Sequence, residues 1–352
     1  MYPVRTFALI ALAPVGLIAL GAGFGGWAVV IALAYITLMA FAVDEAVSAQ
    51  PPTADADADF TGANRLSVVL AVAHFAVLAW VIYALAGGTG LHFGEKTVLF
   101  FAAGLFFGQV SNSNAHELIH RGSRGLFTLG KWVYISLLFG HHTSAHNKIH
   151  HRFVASPQDP NSAREGETFY QFFPRAWLGS FKAGYEIESF DMKRAGRKRV
   201  HPYAGYLAGA CAMLVASFLL AGWGGVLAHV LIAFYAQVQL MLSDYVQHYG
   251  LQRVEIAPGK LEPVGPQHSW NAPHWFTTHL MLNAPRHSDH HAHPARPYPA
   301  LRLRRDEAPM LPRSLPTMAT LALLPNLWQR VMKRELRKWH EVHPQPNPTP
   351  ER

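Results

Sequence analysis

Eight histidines fall in three short segments at spacings that suit metal ligands. The segments are HELIH, with His116 and His120; HNKIHH, with His146, His150 and His151; and HSDHH, with His287, His290 and His291. A spacing of four places two imidazoles on one face of a helix. If the second segment is α-helical, His151 points about 100° away from His150, which suits a doublet that serves two metals or clamps one from an adjacent turn. Each segment alone is a weak signal, but the three together predict a metal site.

The number of imidazoles exceeds the need of one ion. A first-row metal takes about four to six ligands, so eight histidines predict two ions. Neutral imidazole suits iron, copper, zinc and nickel. The chain has one cysteine, Cys211, which excludes an iron–sulfur cluster, a copper(I) thiolate site and an intrachain disulfide. These four metals stay open from the ligands alone; two nitrogen-ligated irons at a membrane face would form an oxygen-activating centre. HELIH also matches the zinc-protease motif H-E-x-x-H, but that interpretation leaves most of the other histidines unexplained.

The composition indicates that membrane helices position these ligands. Half of the residues are hydrophobic and only 15% are charged, against about 25% charged in a soluble domain. Residues 7–43 and 203–243 lack Asp, Glu, Lys and Arg and are broken at GAGFGG (21–26) and GWGG (222–225); each is long enough for two spans of about 20 residues. A second span directly after the first disfavours a signal peptide. We predict an all-α integral membrane protein with six transmembrane helices in three hairpins, at about residues 7–22, 26–43, 66–86, 97–115, 203–221 and 225–243.

Basic residues predict the orientation. Residues 113–202 hold 13 of the 30 Lys and Arg, and residues 244–352 hold 14. By the positive-inside rule, both termini and the two histidine-rich segments, 116–202 and 244–340, are expected in the cytoplasm of a multi-pass inner-membrane protein. This explanation of the basic excess is favoured over nucleic-acid binding. The whole chain, 1–352, is interpreted as one membrane-embedded catalytic domain. Residues 317–332 are expected to form an interfacial helix, and the proline-rich tail 341–352 is expected to be disordered.

Four sequence blocks resemble one family. They are NAHELIHR, AHNKIHHRFVASPQDPNSA, DYVQHYGLQR and HSWN…RHSDHHAHPARPYPALR, and they resemble the integral-membrane alkane 1-monooxygenases, within the superfamily of histidine-box membrane desaturases and hydroxylases. The HYGL segment is typical of the hydrocarbon hydroxylases rather than of the desaturases. Ala145 and Ile149 stand where the family usually has Glu and Gly, and the chain reads APRHSDHH where the family has LQRHSDHH; these departures put the substrate in doubt.

The resemblance implies a non-haem diiron centre with nine histidine ligands, adding His248 of HYGL to the eight. It implies hydroxylation of the terminal methyl of medium-chain alkanes or similar hydrocarbons with O2. The electrons would come from rubredoxin, reduced by an NADH-dependent reductase. No glycine-rich dinucleotide fingerprint follows a strand in the sequence, and the chain has too few cysteines for a rubredoxin site. We therefore expect no flavin or nicotinamide bound to it and a separate donor protein. A hydrophobic substrate is expected to enter from the bilayer through a cavity lined by the spans.

Residues that orient the ligands are also expected. A metal-bound imidazole normally donates its other N–H to a carboxylate or a carbonyl. The candidate neighbours of the ligands are His141, Glu117, Asp159, Asp244 and Asp289.

Three alternatives stay open. An alkyl-aromatic substrate of the xylene or cymene type would use the same centre. A fatty-acyl desaturase or hydroxylase would take a substrate with a head group. A non-catalytic metal transporter would need ligands near the bilayer midplane, where only His74 and His229 lie within the expected spans.

Overall fold

The computed structural model describes residues 4–55, 58–196 and 200–343. It begins with three helices, α1 (Val4–Phe24), α2 (Trp27–Ala46) and α3 (Thr61–Leu85). Among the described residues, these three and Pro202–Gln247 are long and apolar enough to cross a membrane. Large hydrophobic side chains such as Leu9, Trp27 and Leu219 are exposed on these helices, as expected of surfaces that face lipid. The chain is therefore a helical membrane protein.

The fourth helix, α4, covers residues 93–119 and carries the first histidine segment at its end. It is α-helical at Phe93–Leu105 and Asn112–Ile119, and a π-helical turn, Phe106–Ser111, separates the two parts. The span expected at 97–115 lies within it. Three helices follow, α5 (Arg124–Ser136), α6 (residues 142–153) and α7 (Phe169–Ala195).

The helix Pro202–Gln247, α8, reverses direction near its middle. A straight helix of its 46 residues would be about 69 Å long, more than twice the thickness of a bilayer core of about 30 Å. Ala221 and Gly222 leave helical backbone geometry, and Gly222 has a φ of 60°, which glycine adopts readily. Ser217 Oγ then lies 2.7 Å from His229 Nδ1, twelve residues later, so the two parts of α8 lie side by side. The reversal lies at the first residue of GWGG.

Two histidines inside the apolar helices hold the end of α5. The last carbonyls of a helix have no partner within it, and at membrane depth there is no water to supply one. His229 Nε2 donates to the carbonyl of Ser136 at 2.7 Å, and Gln237 Nε2 donates to that of Leu137 at 2.8 Å. His74 Nε2 lies 2.7 Å from Ser136 Oγ. His74 and His229 thus complete the hydrogen bonding of a buried helix end, and this structural role does not require a transported metal.

The C-terminal segment departs from the expected fold in three respects. A small antiparallel ribbon, β1 (Glu255–Ala257) and β2 (Lys260–Leu261), interrupts the helices, so the chain is not entirely α-helical. Short helices α9 (Trp275–Leu280) and α10 (His287–Ala292) follow. The single interfacial helix expected at 317–332 is instead two helices, α11 (Leu315–Ala322) and α12 (Pro325–Val342), because Pro325 suits the first turn of a new helix. Helix α12 continues to Val342, so the expected disordered tail does not begin at residue 341; residues 344–352 lie outside the described part.

Candidate metal centre

Five histidines form the first group of a two-part cluster. The ring nitrogens that they offer all lie within 4.8 Å of one another; the five are His116, His120, His146, His151 and His290. They come from the end of α4, from α6 and from α10. The closest pairs join Nε2 atoms: His146 to His151 at 2.9 Å, and His146 to His120 and His151 to His290 at 3.1 Å each.

Four histidines form the second group, His150, His248, His287 and His291, and their nitrogens also lie within 4.8 Å of one another. His287 Nε2 lies 2.9 Å from His248 Nε2 and 3.0 Å from His291 Nε2. The ring of His150 contacts the rings of His248 and His291, with centroids 4.7 and 4.8 Å apart. The structure thus brings together all nine histidines named from the sequence, and it divides them five and four.

A π-helical turn produces this division within the second sequence segment. His146–His150 is π-helical, with residues five apart joined along the helix axis. In an α-helix, residues five apart point about 140° away from each other. In the π-turn, His146 and His151 point to the same group, with their Nε2 atoms 2.9 Å apart, and His150 points to the other. The doublet His150–His151 therefore serves two groups, one of the two arrangements that its spacing allowed.

The nine histidines fit two metal ions. A neutral imidazole has one N–H and one lone pair, yet His146 Nε2 faces two other Nε2 atoms. His116 Nε2 and His150 Nε2 are buried and have no hydrogen-bond partner among the described residues. A metal–nitrogen bond of about 2.1 Å places two ligands at right angles about 3.0 Å apart, which matches the observed spacings. Lone pairs that converge at this spacing are what ion binding requires.

Burial keeps most of these rings neutral, the form that binds metal. Eight of the nine imidazoles have a lowered pKa, about 3 for His120 and His287. The largest cause is desolvation by burial, and repulsion between neighbouring imidazoles adds to it. His150 differs. Burial acts to lower its pKa, but the charge of Asp159 and a hydrogen bond to it raise the pKa of His150 above its ordinary value.

Asp159 is the carboxylate that orients a ring of the cluster. Its Oδ2 lies 2.8 Å from His150 Nδ1, and its side chain is fully buried. Ser162 Oγ donates to the same oxygen at 2.7 Å, and the backbone N–H of Asn161 donates to Oδ1 at 3.1 Å. Asn161 also donates to Asp244 Oδ2 at 2.6 Å. Asp244 therefore supports this arrangement through Asn161 rather than through a bond to a ring.

Two further rings are held by backbone groups that the sequence did not indicate. The backbone of His268 forms a hydrogen bond with the side chain of His248, and the backbone of Ala284 forms one with the side chain of His287. Every residue has a backbone carbonyl, so no residue type could have marked these two positions. His268 itself is buried.

The other predicted neighbours make contacts away from the nine rings. Asp289 binds Arg296 Nη1 at 2.5 and 2.6 Å and accepts from the backbone N–H of Arg302 at 2.9 Å. Asp289 therefore connects α10 to the following loop. Contrary to the expectation, it orients none of the nine imidazoles. Glu117 forms an ion pair with Arg121 and accepts from the backbone N–H of Tyr298 at 3.0 Å.

Two neighbouring histidines at the start of α6, His141 and His142, have different surroundings. His141 packs against the rings of Phe139 and Phe181, which makes it part of the wall between α6 and α7 rather than a neighbour of the ligands. His142 is buried, and the centroid of its ring lies 5.1 Å from that of His146.

A buried arginine supports the third segment. Arg286, next to His287, is 1% exposed. Its Nη1 donates to Thr53 Oγ1 at 2.7 Å and to the carbonyl of Leu301 at 2.6 Å, and its Nη2 donates to the carbonyl of Pro51. The loop after α2 is thereby attached to the start of α10. The only indication of Arg286 in the sequence was its place in RHSDHH, a block that resembles the family.

Comparisons with known proteins agree with this site. A model of the fatty acid desaturase family matches residues 96–322. The alkane 1-monooxygenase of Acinetobacter baylyi is 36% identical over 250 residues, which cover 69% of this chain and 60% of that protein. Alkane 1-monooxygenase 2 of Pseudomonas aeruginosa is 30% identical over 267 residues, 75% of this chain and 71% of that protein. The xylene/toluene monooxygenase hydroxylase component XylM of Pseudomonas putida is 28% identical over 243 residues, 66% of this chain and 62% of that protein.

The matched region contains all nine histidines, and the chain spans about three fifths of the length of the first of these relatives. The agreement of the family model, the relatives and the histidine segments establishes the ancestry of the chain: it belongs to the alkane 1-monooxygenase family, within the wider fatty acid desaturase family.

Proposed function

We propose that this chain is a non-haem diiron monooxygenase that hydroxylates the terminal methyl of medium-chain alkanes or similar hydrocarbons. The observation that carries the proposal is the division of nine buried or partly buried histidines into one group of five and one group of four. Each group offers enough nitrogen ligands for one first-row ion and leaves coordination positions open. When bound, the two irons would supply the activation of O2 and the oxidation of an unreactive C–H bond.

The residues of the chain have three tasks in this proposal. The nine imidazoles hold the irons without adding negative charge to a site beside lipid, where buried anions are costly. Asp159 and the backbone groups of His268 and Ala284 fix three of the rings in orientation, as the outer partners of metal ligands do. The burial of the cluster keeps water away from the reacting carbon.

A cleft between the apolar helices provides the substrate route. It has a volume of about 830 Å³ and lies between α2, α4, the second part of α8, and α11. Its lining is mainly apolar, and Leu38 and Phe41 at its wall are large, exposed hydrophobic residues of a helix that is apolar enough to cross a membrane. A hydrocarbon dissolved in lipid therefore has direct access to the cleft.

Rubredoxin, reduced by an NADH-dependent reductase, is the proposed electron donor. His116, His120 and His151 of the first group are partly exposed, whereas the members of the second group are buried. Arg152 next to His151 is exposed, and a basic rim favours the approach of an acidic protein. A stopped-flow experiment tests this pairing. Purified reduced rubredoxin is mixed with the iron-loaded protein in the presence of O2 and octane, and the oxidation of rubredoxin is measured. No oxidation above that seen with the metal-free protein would reject rubredoxin as the donor.

In the proposed topology, six spans cross the cell inner membrane. Both termini and the iron site lie on its cytoplasmic side. The two parts of α8 return the chain to the side that it left, which allows residues 116–151 and 248–291 to share one centre. Two cysteine variants in a Cys211→Ser background test the topology. Glu165→Cys and Lys260→Cys are at exposed positions, one before α8 in the sequence and the other after it. Both should resist a membrane-impermeant thiol reagent in intact cells and react after lysis. Labelling of only one in intact cells would reject the six-span topology.

The activity is tested by metal analysis together with product analysis. Purified protein should contain two irons per chain and little zinc. Membranes supplied with a mixture of octane, p-xylene and palmitate, together with the electron donor, should yield mainly 1-octanol. A single zinc without iron would reject the diiron proposal.

An alkyl-aromatic methyl hydroxylase is the second candidate function. It is favoured by the similarity to XylM, whose name gives xylene and toluene. A methylbenzyl alcohol as the main product of the same mixture would identify this activity. A desaturated or hydroxylated fatty acid would point instead to an acyl-chain enzyme.

A further inference from the structure

Two glutamines separate the lipid-facing cleft from a narrower cavity on the side of the histidines. Gln109 of α4 and Gln239 of α8 line both cavities. The wide cleft measures about 830 Å³, and the narrow cavity only about 10 Å³. The narrow cavity is lined further by Gly108, Ser243, Met281 and Leu315. The passage therefore tightens where the two glutamines meet.

The two amides face each other across this constriction. Gln109 Nε2 donates to Gln239 Oε1 at 3.5 Å. Gln109 is 8% exposed, and its Oε1 has no hydrogen-bond partner among the described residues. Polar side chains at membrane depth are costly unless they have a function or a partner. A weak bond to a half-buried amide and an unused acceptor are poor compensation for the burial of Gln109, so packing alone does not account for this pair.

Close contact of the two helices fixes the pair in place. A Cβ at Gly108 would overlap with Cβ of Gln239 and lie 3.2 Å from the carbonyl oxygen of Ala236. Only glycine permits this approach. Because the backbones meet here, the width of the passage depends on the side chains of Gln109 and Gln239 rather than on the position of the helices.

Hydrogen-bonded residues connect the wall of the narrow cavity to the histidines. Ser243 Oγ donates to Gln247 Oε1 at 3.0 Å, and Gln247 Nε2 donates to the carbonyl of Ala284 at 3.3 Å. The backbone of Ala284 also holds His287. On α4, His116 follows Gln109 by seven residues, or about 10 Å along a helix. The glutamine pair thus lies between the opening to lipid and both groups of the centre.

We infer that Gln109 and Gln239 form a gate that an alkyl chain must pass to reach the centre, and that this gate limits the length of the chains the protein accepts. The inference rests on the proposed function for the identity of the substrate. The narrow cavity of about 10 Å³ has room for about one water molecule, so it must widen when the two amides separate to admit a chain. A short chain that has passed then lies wholly on the inner side, and the amides close behind it. A longer chain must remain between the two side chains, where its methylene groups break their hydrogen bond and meet an amide that they cannot pair.

Passage through the gate is measurable without turnover. In a Cys211→Ser background, Ser243→Cys reports on the narrow cavity and Thr317→Cys on the wide cleft. Both variants are treated with octyl methanethiosulfonate in membranes, with and without Gln239→Ala. The truncation should speed modification at position 243 by about tenfold or more, the scale on which small changes in an apolar passage discriminate, and leave the rate at position 317 unchanged. Circular dichroism and thermal unfolding verify that each variant is folded.

Two further variants keep the inference falsifiable. Gln109→Ala removes the other half of the gate and should give the same acceleration if Gln239→Ala does not fold. Gln239→Met keeps the length of the side chain without the amide; acceleration by Met as well as Ala assigns the barrier to the hydrogen bond, and acceleration by Ala alone assigns it to size. Equal rates at position 243 with the gate intact and with either glutamine truncated would overturn the inference.

The substrate profile provides the second measurement. The ratio of hexadecane to octane oxidised by the iron-loaded protein should rise by about tenfold in Gln239→Ala. Leu219→Ala, at an exposed apolar position outside the cleft, should leave this ratio unchanged. An unchanged ratio in Gln239→Ala would overturn the inference that the gate limits the length of the accepted chain. A wild-type protein that oxidises no alkane would reject the proposed function, and the thiol labelling would still decide whether the gate exists.

Discussion

Replacement of Asp159 by asparagine should remove iron from the group of four histidines and spare the group of five. Asp159 is fully buried and contacts only one ring of the centre, that of His150, at 2.8 Å. The first group has no hydrogen bond to this carboxylate among the described contacts. Asparagine has nearly the same shape and keeps an oxygen that can accept from His150, so the change removes mainly the charge.

The expected magnitude follows from the role of such partners. Loss of an outer carboxylate typically weakens metal binding by about 10- to 100-fold, or about 1.4–2.7 kcal/mol. At a free iron concentration tenfold above the wild-type Kd of the second group, about 91% of wild-type sites are filled. In Asp159→Asn the occupancy should fall to between about 50% and 9%. The iron content should therefore decrease from nearly two toward one per chain.

Iron titration of the purified, detergent-solubilised protein against a chelator of known affinity measures this change. The matched control is Asp191→Asn, which alters an aspartate that contacts the same helix, α6, through Lys148 at 2.9 Å. Lys148 retains Glu188 at 2.8 Å, so the control should bind iron as the wild type does. Equal loss from both groups, or an unchanged titration in Asp159→Asn, would refute the assignment of Asp159 to a single group.

Three further changes test other parts of the site. His248→Ala should lose the iron of the second group and the hydroxylation activity while the protein still inserts in the membrane; two irons per chain in this variant would remove His248 from the ligands. Arg286→Lys should lower the midpoint of thermal unfolding by about 2–10 °C, because a lysine cannot reproduce the hydrogen bonds of the guanidinium to Thr53, Leu301 and Pro51; an unchanged midpoint would contradict this support. Asp289→Ala should lower thermal stability without selective loss of one iron, because its partner Arg296 is left unpaired; selective loss of one iron would restore the role first predicted from its position in HSDHH.

The sequence predicted the helical breaks because they depend on composition. The uncharged stretches end or turn at glycine-rich segments, and Gly25, Gly26 and Gly222 have positive φ values there. The small ribbon after α8 and the break at Pro325 were missed. The ribbon depends on local turns and on packing against neighbouring segments, which hydropathy does not encode. The second break follows from Pro325 itself, which hydropathy also ignores.

The sequence also named the histidines but not their division. Spacing gave eight of them, and the resemblance to a family added His248, which stands alone in its segment. The pairing of His146 with His151 depends on a π-turn, and α-helical spacing places them on different faces. The support of His248 and His287 by backbone groups has no residue signature. Asp289 shows the opposite error, since its place between two ligands suggested a contact that Arg296 takes instead.

The division of the ligands along the chain sets when the centre can assemble during synthesis. A nascent chain that ends at Gln247 carries four members of the first group but only His150 of the second. Neither set is complete until residues 287–291 have left the ribosome and α10 has docked against the earlier helices. Metal insertion is then a late step of biogenesis, and chains that stall after α8 would expose unfilled imidazoles. If the two ions are iron, as proposed, iron is needed at the membrane when translation of the third histidine segment ends.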